Sequence, residues 1–181
     1  MQRYLLSRFL PLLLVLPFAA GIVVAQSLPV EASYEVGFSP GGSSLAVVMD
    51  GIRSARVSIL VASYSFTSKP IASALLEAER RGVKVMVVAD EKANRHYSAV
   101  TFLANQGVQV RLNGLYAIHH HKFMVIDGET LETGSFNYTE SAVKRNAENV
   151  LLLRHVRPLA EVYIAEWQRL WNEATDLRPS Y

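Results

Sequence analysis

Three imidazoles and an ammonium stand side by side at His119-His120-His121-Lys122, followed by an apolar run from Phe123 to Ile126 and an Asp127-Gly128 turn. Titratable nitrogens beside a fixed cation are costly to bury without a task, so the segment reads first as a site. If the run is a strand, its side chains alternate, with His120 and Lys122 on one face and His119 and His121 on the other. The first pair suits a phosphate: a nitrogen able to attack or to move a proton lies next to a permanent positive charge. Imidazoles two apart on a strand can also ligate a metal. No third carboxylate or cysteine is spaced near His119 and His121, and neither a functional metal nor a cofactor is expected.

Further along, Ser135 and Asn137 are again two apart, so a hydroxyl and an amide project together from a strand end. Glu148 opens the next apolar run and can bring a carboxylate to the same polar edge. There it would hold one imidazole nitrogen and leave the other free to attack; an ordinary strand-end charge fits the position equally well. Asp127 is an odd number of residues from Lys122, hence on the opposite face, and hairpin geometry alone accounts for an Asp there. Its expected role is supporting.

The elements that must carry these groups follow from periodicity. Strands are expected at Ser33–Phe38, Val57–Ser63, Val83–Ala89, Val108–Leu112, residues 119–126, Glu129–Thr133 and Glu148–Arg154. Helices are expected from Ser43 or Ser44 to Ile52, from Pro70 to Arg81, from Ser98 to Asn105, over Thr139–Lys144, and from Pro158 to Ala174. Strand, helix, strand over residues 57–89 is the spacing of a right-handed parallel crossover, and Asp127-Gly128 is a hairpin signal. The fold class is therefore α/β, a mixed sheet sandwiched between helices. The loop Asp90–His96 leaves the carboxyl end of a buried strand, the edge where open α/β sheets bind ligands.

The composite of these residues resembles the phospholipase D superfamily. Its HxKx4D…GSxN…NxE signature is matched by His120, Lys122 and Asp127, then Gly134-Ser135-Phe136-Asn137, then Asn146-Ala147-Glu148. The likeness runs from Ser33 to Trp171, includes Tyr64-Ser65-Phe66-Thr67, and is strongest to the small secreted or periplasmic nucleases of the superfamily. The resemblance implies a metal-independent phosphodiesterase that works through a phosphohistidine and needs two copies of the motif. The remaining histidines, His96 and His155, stand in no HxK context, so a homodimer would have to supply the second copy. It also implies roles: His120 as nucleophile with its symmetry mate as acid, Lys122 and Asn137 on the phosphate oxygens, Ser135 as a further hydrogen bond, and Glu148 orienting His120.

The expected substrate is nucleic acid, cut with little sequence preference, with Lys92, Arg95, Lys144 and Arg145 as candidates for a phosphate-tracking groove. The alternative is a phospholipase D acting on phospholipid head groups, with Tyr64, Phe66, Tyr116, Phe136 and Tyr138 as lipid contacts. A binding protein that keeps the scaffold without catalysis is disfavoured by the intact set of polar residues.

The chain of 181 residues opens with a cationic stretch containing Arg3 and Arg8, then an apolar run from Phe9 ending at Val23-Val24-Ala25. This reads as a signal peptide, residues 1–25, ahead of one catalytic domain at 26–181, exported to the periplasm or secreted. An uncleaved membrane anchor is the alternative, since the run approaches the roughly 17 residues a spanning helix needs. Arg3 and Arg8 are two of the 18 Lys and Arg and set against 16 acids, so the cleaved chain would be electrically balanced. Polyanion binding would then depend on a local groove, not on bulk charge. There is no cysteine, which excludes disulfides and thiolate chemistry.

Overall fold

A computed structural model describes residues 25–94 and 98–179. The signal-peptide reading, apart from Ala25, and the residues Arg95 and His96 lie outside the described residues. Among the described residues, no helix is long and apolar enough to cross a membrane.

Eight strands form one mixed sheet: β1 (Ser33–Ser39), β2 (Ser58–Ser63), β3 (Lys84–Asp90), β4 (Gln109–Asn113), β5 (Lys122–Ile126), β6 (Thr130–Gly134), β7 (Glu148–Arg154) and β8 (Thr175–Asp176). Five helices accompany them: α1 (Ser43–Ser54), α2 (Lys69–Arg80), α3 (Ala99–Asn105), α4 (Glu140–Lys144) and α5 (Arg157–Glu173). The order across the sheet is β1-β7-β6-β5-β2-β3-β4-β8. β2, β3 and β4 run parallel, linked by α2 and α3, while β5 joins β2 antiparallel and starts an antiparallel run through β6 and β7 to β1.

Val, Ile and Leu on both faces of β2 and β3 make them the buried centre of the sheet. Val61 packs with Ile52, Ile71, Leu75 and Met124 on the side of α1 to α3. Ala62 and Phe123 pack on the other side, with Trp167 and Leu170 of α5. The indole N–H of Trp167 donates to the Val61 carbonyl at 2.9 Å, so the largest buried side chain leaves no polar atom unpartnered.

Two expectations are corrected, and one strand is added. Helix α1 is preceded by Gly42 in a left-handed conformation with no side-chain cap; the Ser43 hydroxyl instead bonds the backbone of Phe38 at 2.9 Å, tying the helix to β1. The motif strand begins at Lys122, so residues 119–121 are irregular. The closing strand β8 has only two residues, pairing with Arg111 and Leu112, and is too short to show a period.

A hairpin forms at Asp127-Gly128, with φ of 52° and 70°, but its loop takes in Glu129 and the returning strand starts at Thr130. Asp127 also has a tertiary role. Its carboxylate accepts from the backbone N–H groups of Arg56 (2.9 Å), Val57 (2.7 Å) and Ser58 (2.9 Å), clamping the start of β2 to the end of β5. Hydrogen bonds to a charged acceptor contribute about 1.5–3 kcal/mol, and the loss strands several donors at once. Asp127→Ala is therefore expected to lower unfolding free energy by about 2 kcal/mol or more in urea titration, with Asp127→Asn losing less because it keeps one oxygen and tolerates positive φ.

Candidate active site

The sequence-predicted residues converge at one end of the sheet. The register pairs Ser63 at the end of β2 with Lys122 at the start of β5. Next to them, β6 ends at Gly134 and β7 begins at Glu148. Gly134 permits this closeness: a Cβ there would lie 2.2 Å from the Asn149 carbonyl oxygen. The two backbones thus meet, Ser135 N–H donates to that oxygen at 3.2 Å, and the Ser135 side chain arrives beside Glu148.

The polar groups form a connected half-ring. Ser135 Oγ donates to Glu148 Oε2 at 2.6 Å, Asn146 Nδ2 donates to Glu148 Oε1 at 2.8 Å, and Asn149 N–H donates to Ser135 Oγ at 3.1 Å. Lys122 is 8% exposed, and its Nζ donates to the His120 carbonyl at 2.8 Å. Burial lowers the affinity of Lys122 for its proton, and the Glu148 carboxylate works in the opposite direction. The His120 side chain is exposed, with its ring edge-on to Tyr64 at a centroid distance of 4.7 Å. Among the described residues no bond joins Glu148 to His120 within one chain; Glu148 is engaged by Ser135 and Asn146 instead. The Asn137 Oδ1 is buried without a hydrogen-bond partner among the described residues, an acceptor left with nothing to accept from.

The other two histidines separate from His120 as alternation predicts. His119 is 2% exposed, and burial, reinforced by the nearby His121, pulls its pKa down from 6.5 to about 4, so it is neutral at pH 7. His121 lies exposed, its Nε2 3.2 Å from Glu166 Oε1. Among the described residues, no three His, Cys, Asp or Glu side chains gather as a metal-holding group. Residues His119–His121, Tyr116, Ile118, Arg169 and Leu170 line a cleft of about 300 Å³. Of the groove cations, Lys92 donates to the carbonyls of Tyr116 (3.4 Å) and Ala117 (3.0 Å), and Lys144 pairs with Glu140 at 2.6 Å. Both are committed within the protein. Asp127 sits at the far end of β5 from Lys122 and takes no part in this constellation.

Two features escaped sequence reasoning. The loop from Asp90 is expected at a ligand edge, but the bonds of Asp90 and Asn94, each 1% exposed, to the His119 N–H and the Tyr64 carbonyl are not. Glu132, also 1% exposed, accepts from the Tyr138 hydroxyl at 2.6 Å in the interior. Tyr138 in turn accepts at its carbonyl from Thr67 and Ser68 N–H, at 2.9 and 2.8 Å, and so ties the loop after β2 to the segment carrying Ser135 and Asn137. A carboxylate in a strand ordinarily marks a solvent face, and only the closure of both layers buries this one.

An imidazole, an ammonium, a hydroxyl, an amide and a carboxylate thus gather at one sheet edge of an α/β scaffold. Comparison with known proteins specifies the family. Residues 48–171 match the model described as "Cardiolipin synthase, PLD-like domain", and the chain belongs to the phospholipase D superfamily, whose members are phosphodiesterase hydrolases. The phospholipase D of Rickettsia prowazekii is 36% identical over 131 residues, 72% of this chain and 63% of that protein. The mitochondrial cardiolipin hydrolase of Canis lupus familiaris is 32% identical over 134 residues, 74% of this chain and 52% of that protein. The chain thus spans a little over half to under two thirds of these two relatives. Among solved structures, Nuc from Salmonella typhimurium, a phospholipase D family member, superposes with a TM-score of 0.80 and 40% identity, over 82% of this chain and 99% of that one. NucT from Helicobacter pylori superposes with a TM-score of 0.74 and 25% identity, over 81% and 100%.

The buried Glu132 yields a stability prediction. Burial raises its pKa from 4.5 to about 8, against the smaller effect of the Tyr138 hydrogen bond. The folded carboxyl stays neutral while the unfolded one ionises above pH 4.5, so the fold loses stability as pH rises from 4.5 to 8, by on the order of 5 kcal/mol in the limit. His119 acts in the opposite sense: its stabilising contribution is present above pH 6.5 and is lost as pH falls towards 4. In Glu132→Gln, thermal melts are expected to show a flatter stability profile between pH 5 and 8 than the wild type. Parallel profiles would mean that Glu132 ionises freely in the fold.

Proposed function

We propose that the domain at 26–181 is a metal-independent phosphodiesterase, a non-specific endonuclease that cuts through a phosphohistidine and completes its site as a homodimer. The observation that carries this reading is the single His120–Lys122 half-site, open at the sheet edge and surrounded by Ser135, Asn137 and Glu148. In-line displacement at phosphorus needs a nucleophile and an acid on opposite sides of the phosphate, and one imidazole cannot be both at once. A second copy of the chain supplies the other. His120 attacks phosphorus, forming a P–N bond as the P–O bond breaks, and the symmetry mate's imidazole protonates the departing oxygen. That imidazole then takes a proton from water, whose oxygen displaces His120. Lys122 and Asn137 hold the non-bridging oxygens and stabilise the charge gathered there.

The exposed face of β1 supports the dimer. Tyr34, Val36 and Phe38 are 71%, 44% and 60% exposed, on the side of the sheet that α5 covers only over β2 to β6. An apolar strip of this kind beside an incomplete site is the surface a twofold interface would cover. Export after cleavage near Ala25 is part of the same proposal, with a retained membrane anchor as the alternative.

Hydrolysis of phospholipid head groups is the second reading, favoured by the names of the relatives, phospholipase D and cardiolipin hydrolase. Purified protein incubated with plasmid DNA and with phosphatidylcholine vesicles, both in EDTA, is expected to nick the plasmid. Head-group release without nicking would reverse the choice, and activity that requires a divalent ion would refute the mechanism. His120→Asn is expected to lose at least a thousandfold in kcat, as nucleophile removal does. Val36→Glu is expected to run as a monomer in light scattering and to lose activity with the interface.

A further inference from the structure

The His120 ring makes no hydrogen bond to any described residue, so its orientation depends on packing. What it packs against is Tyr64, edge-on at 4.7 Å and 60° between ring planes. The same ring has the Lys122 ammonium over it, 5.4 Å from its centroid, within the range of cation–π attraction. One half-buried aromatic therefore touches both groups that meet the phosphate.

Tyr64 is itself held from below. Its carbonyl accepts from Asn94 Nδ2 at 2.6 Å, and Asn94 Oδ1 accepts from Phe66 N–H at 3.1 Å, so the two atoms of one amide bracket the residue. Asn94 Nδ2 also donates to the Asp90 carbonyl at 2.8 Å. The Asp90 carboxylate accepts from Ala93 N–H and from His119 N–H, both at 2.7 Å. The end of β3 thus grips both the backbone before His120 and the loop carrying Tyr64. Fully partnered buried polar groups of this kind impose one geometry on the segments they join.

We propose that Tyr64 is a positioning residue for phosphodiester cleavage: its ring sets the orientation of the His120 imidazole and guides the Lys122 ammonium, and the buried Asp90 and Asn94 side chains set Tyr64. The inference rests on the reading of His120 as nucleophile. A group displaced by about 1 Å from its reacting position loses on the order of a hundredfold in rate, whereas the substrate is still bound by the remaining contacts.

The test compares Tyr64→Phe with Tyr64→Leu in the full-length protein, on bis(p-nitrophenyl) phosphate and on plasmid DNA. Tyr64→Leu is expected to lower kcat by roughly tenfold to a hundredfold on both, with KM within about threefold. Tyr64→Phe is expected to stay close to wild type, since the contact needs the ring and not the hydroxyl. Proton NMR gives a readout independent of turnover: the ring current of Tyr64 displaces the His120 Cε1–H resonance, and this displacement is expected to vanish in Tyr64→Leu and persist in Tyr64→Phe. Should Tyr64→Leu melt much earlier than wild type, Tyr64→Met fills similar volume without a ring and takes its place. The proposal is overturned if KM rises while kcat holds, if Tyr64→Phe is as slow as Tyr64→Leu, or if the His120 resonance does not respond. A wild type that shows the ring-current displacement but hydrolyses neither diester overturns the nucleophile reading instead.

Discussion

The pairing of β5 with β2 is the interaction on which the rest depends. At one end the Asp127 carboxylate collects three backbone N–H groups from the start of β2; at the other, the register sets Lys122 opposite Ser63. Because side chains alternate along a strand, a slip of one residue would send Lys122 into the α5 layer and bring Phe123 to the site. The imidazole of His120 and the carboxylate of Asp127 therefore flank β5 at opposite ends. The carboxylate holds the register in which the imidazole is exposed.

Around that strand the protein alternates between committed and uncommitted polar groups. Glu148, Ser135, Asn146, Asp90 and Asn94 have partners within the chain, whereas the His120 ring and Asn137 Oδ1 have none among the described residues. The partnered groups make a rigid frame around the exposed His120 ring. Two buried groups, His119 and Glu132, are held neutral by desolvation on either side of the motif strand's hairpin. Glu132 costs the fold stability as pH rises above 4.5 and His119 as pH falls below 6.5, so between these values the two dependences offset each other.

Family membership and substrate are separate questions here. The scaffold is that of the phospholipase D superfamily, and relatives of this chain are named both phospholipase D and cardiolipin hydrolase. A fold shared by several activities assigns reaction chemistry more firmly than substrate.

Much of the fold was legible in the sequence because hydrophobic period and turn chemistry are local properties. β7 and α2 lie close to where apolar spacing, Pro70 and Gly82 put them, and Asp127-Gly128 forms its hairpin. The sorting of His120 and Lys122 from His119 and His121 follows from alternation, even though residues 119–121 lie outside the strand. What the sequence did not disclose depends on groups distant along the chain. Asp127 serves β2, Glu148 turns to Ser135 and Asn146, and Glu132 is buried although its type suggests solvent. A residue type determines which hydrogen bonds are available, but the partner that takes them is selected by strand order and layer closure. Tertiary structure alone decided that Tyr64 meets His120, because that contact joins the end of β2 to the entry of β5 across a register no local pattern records.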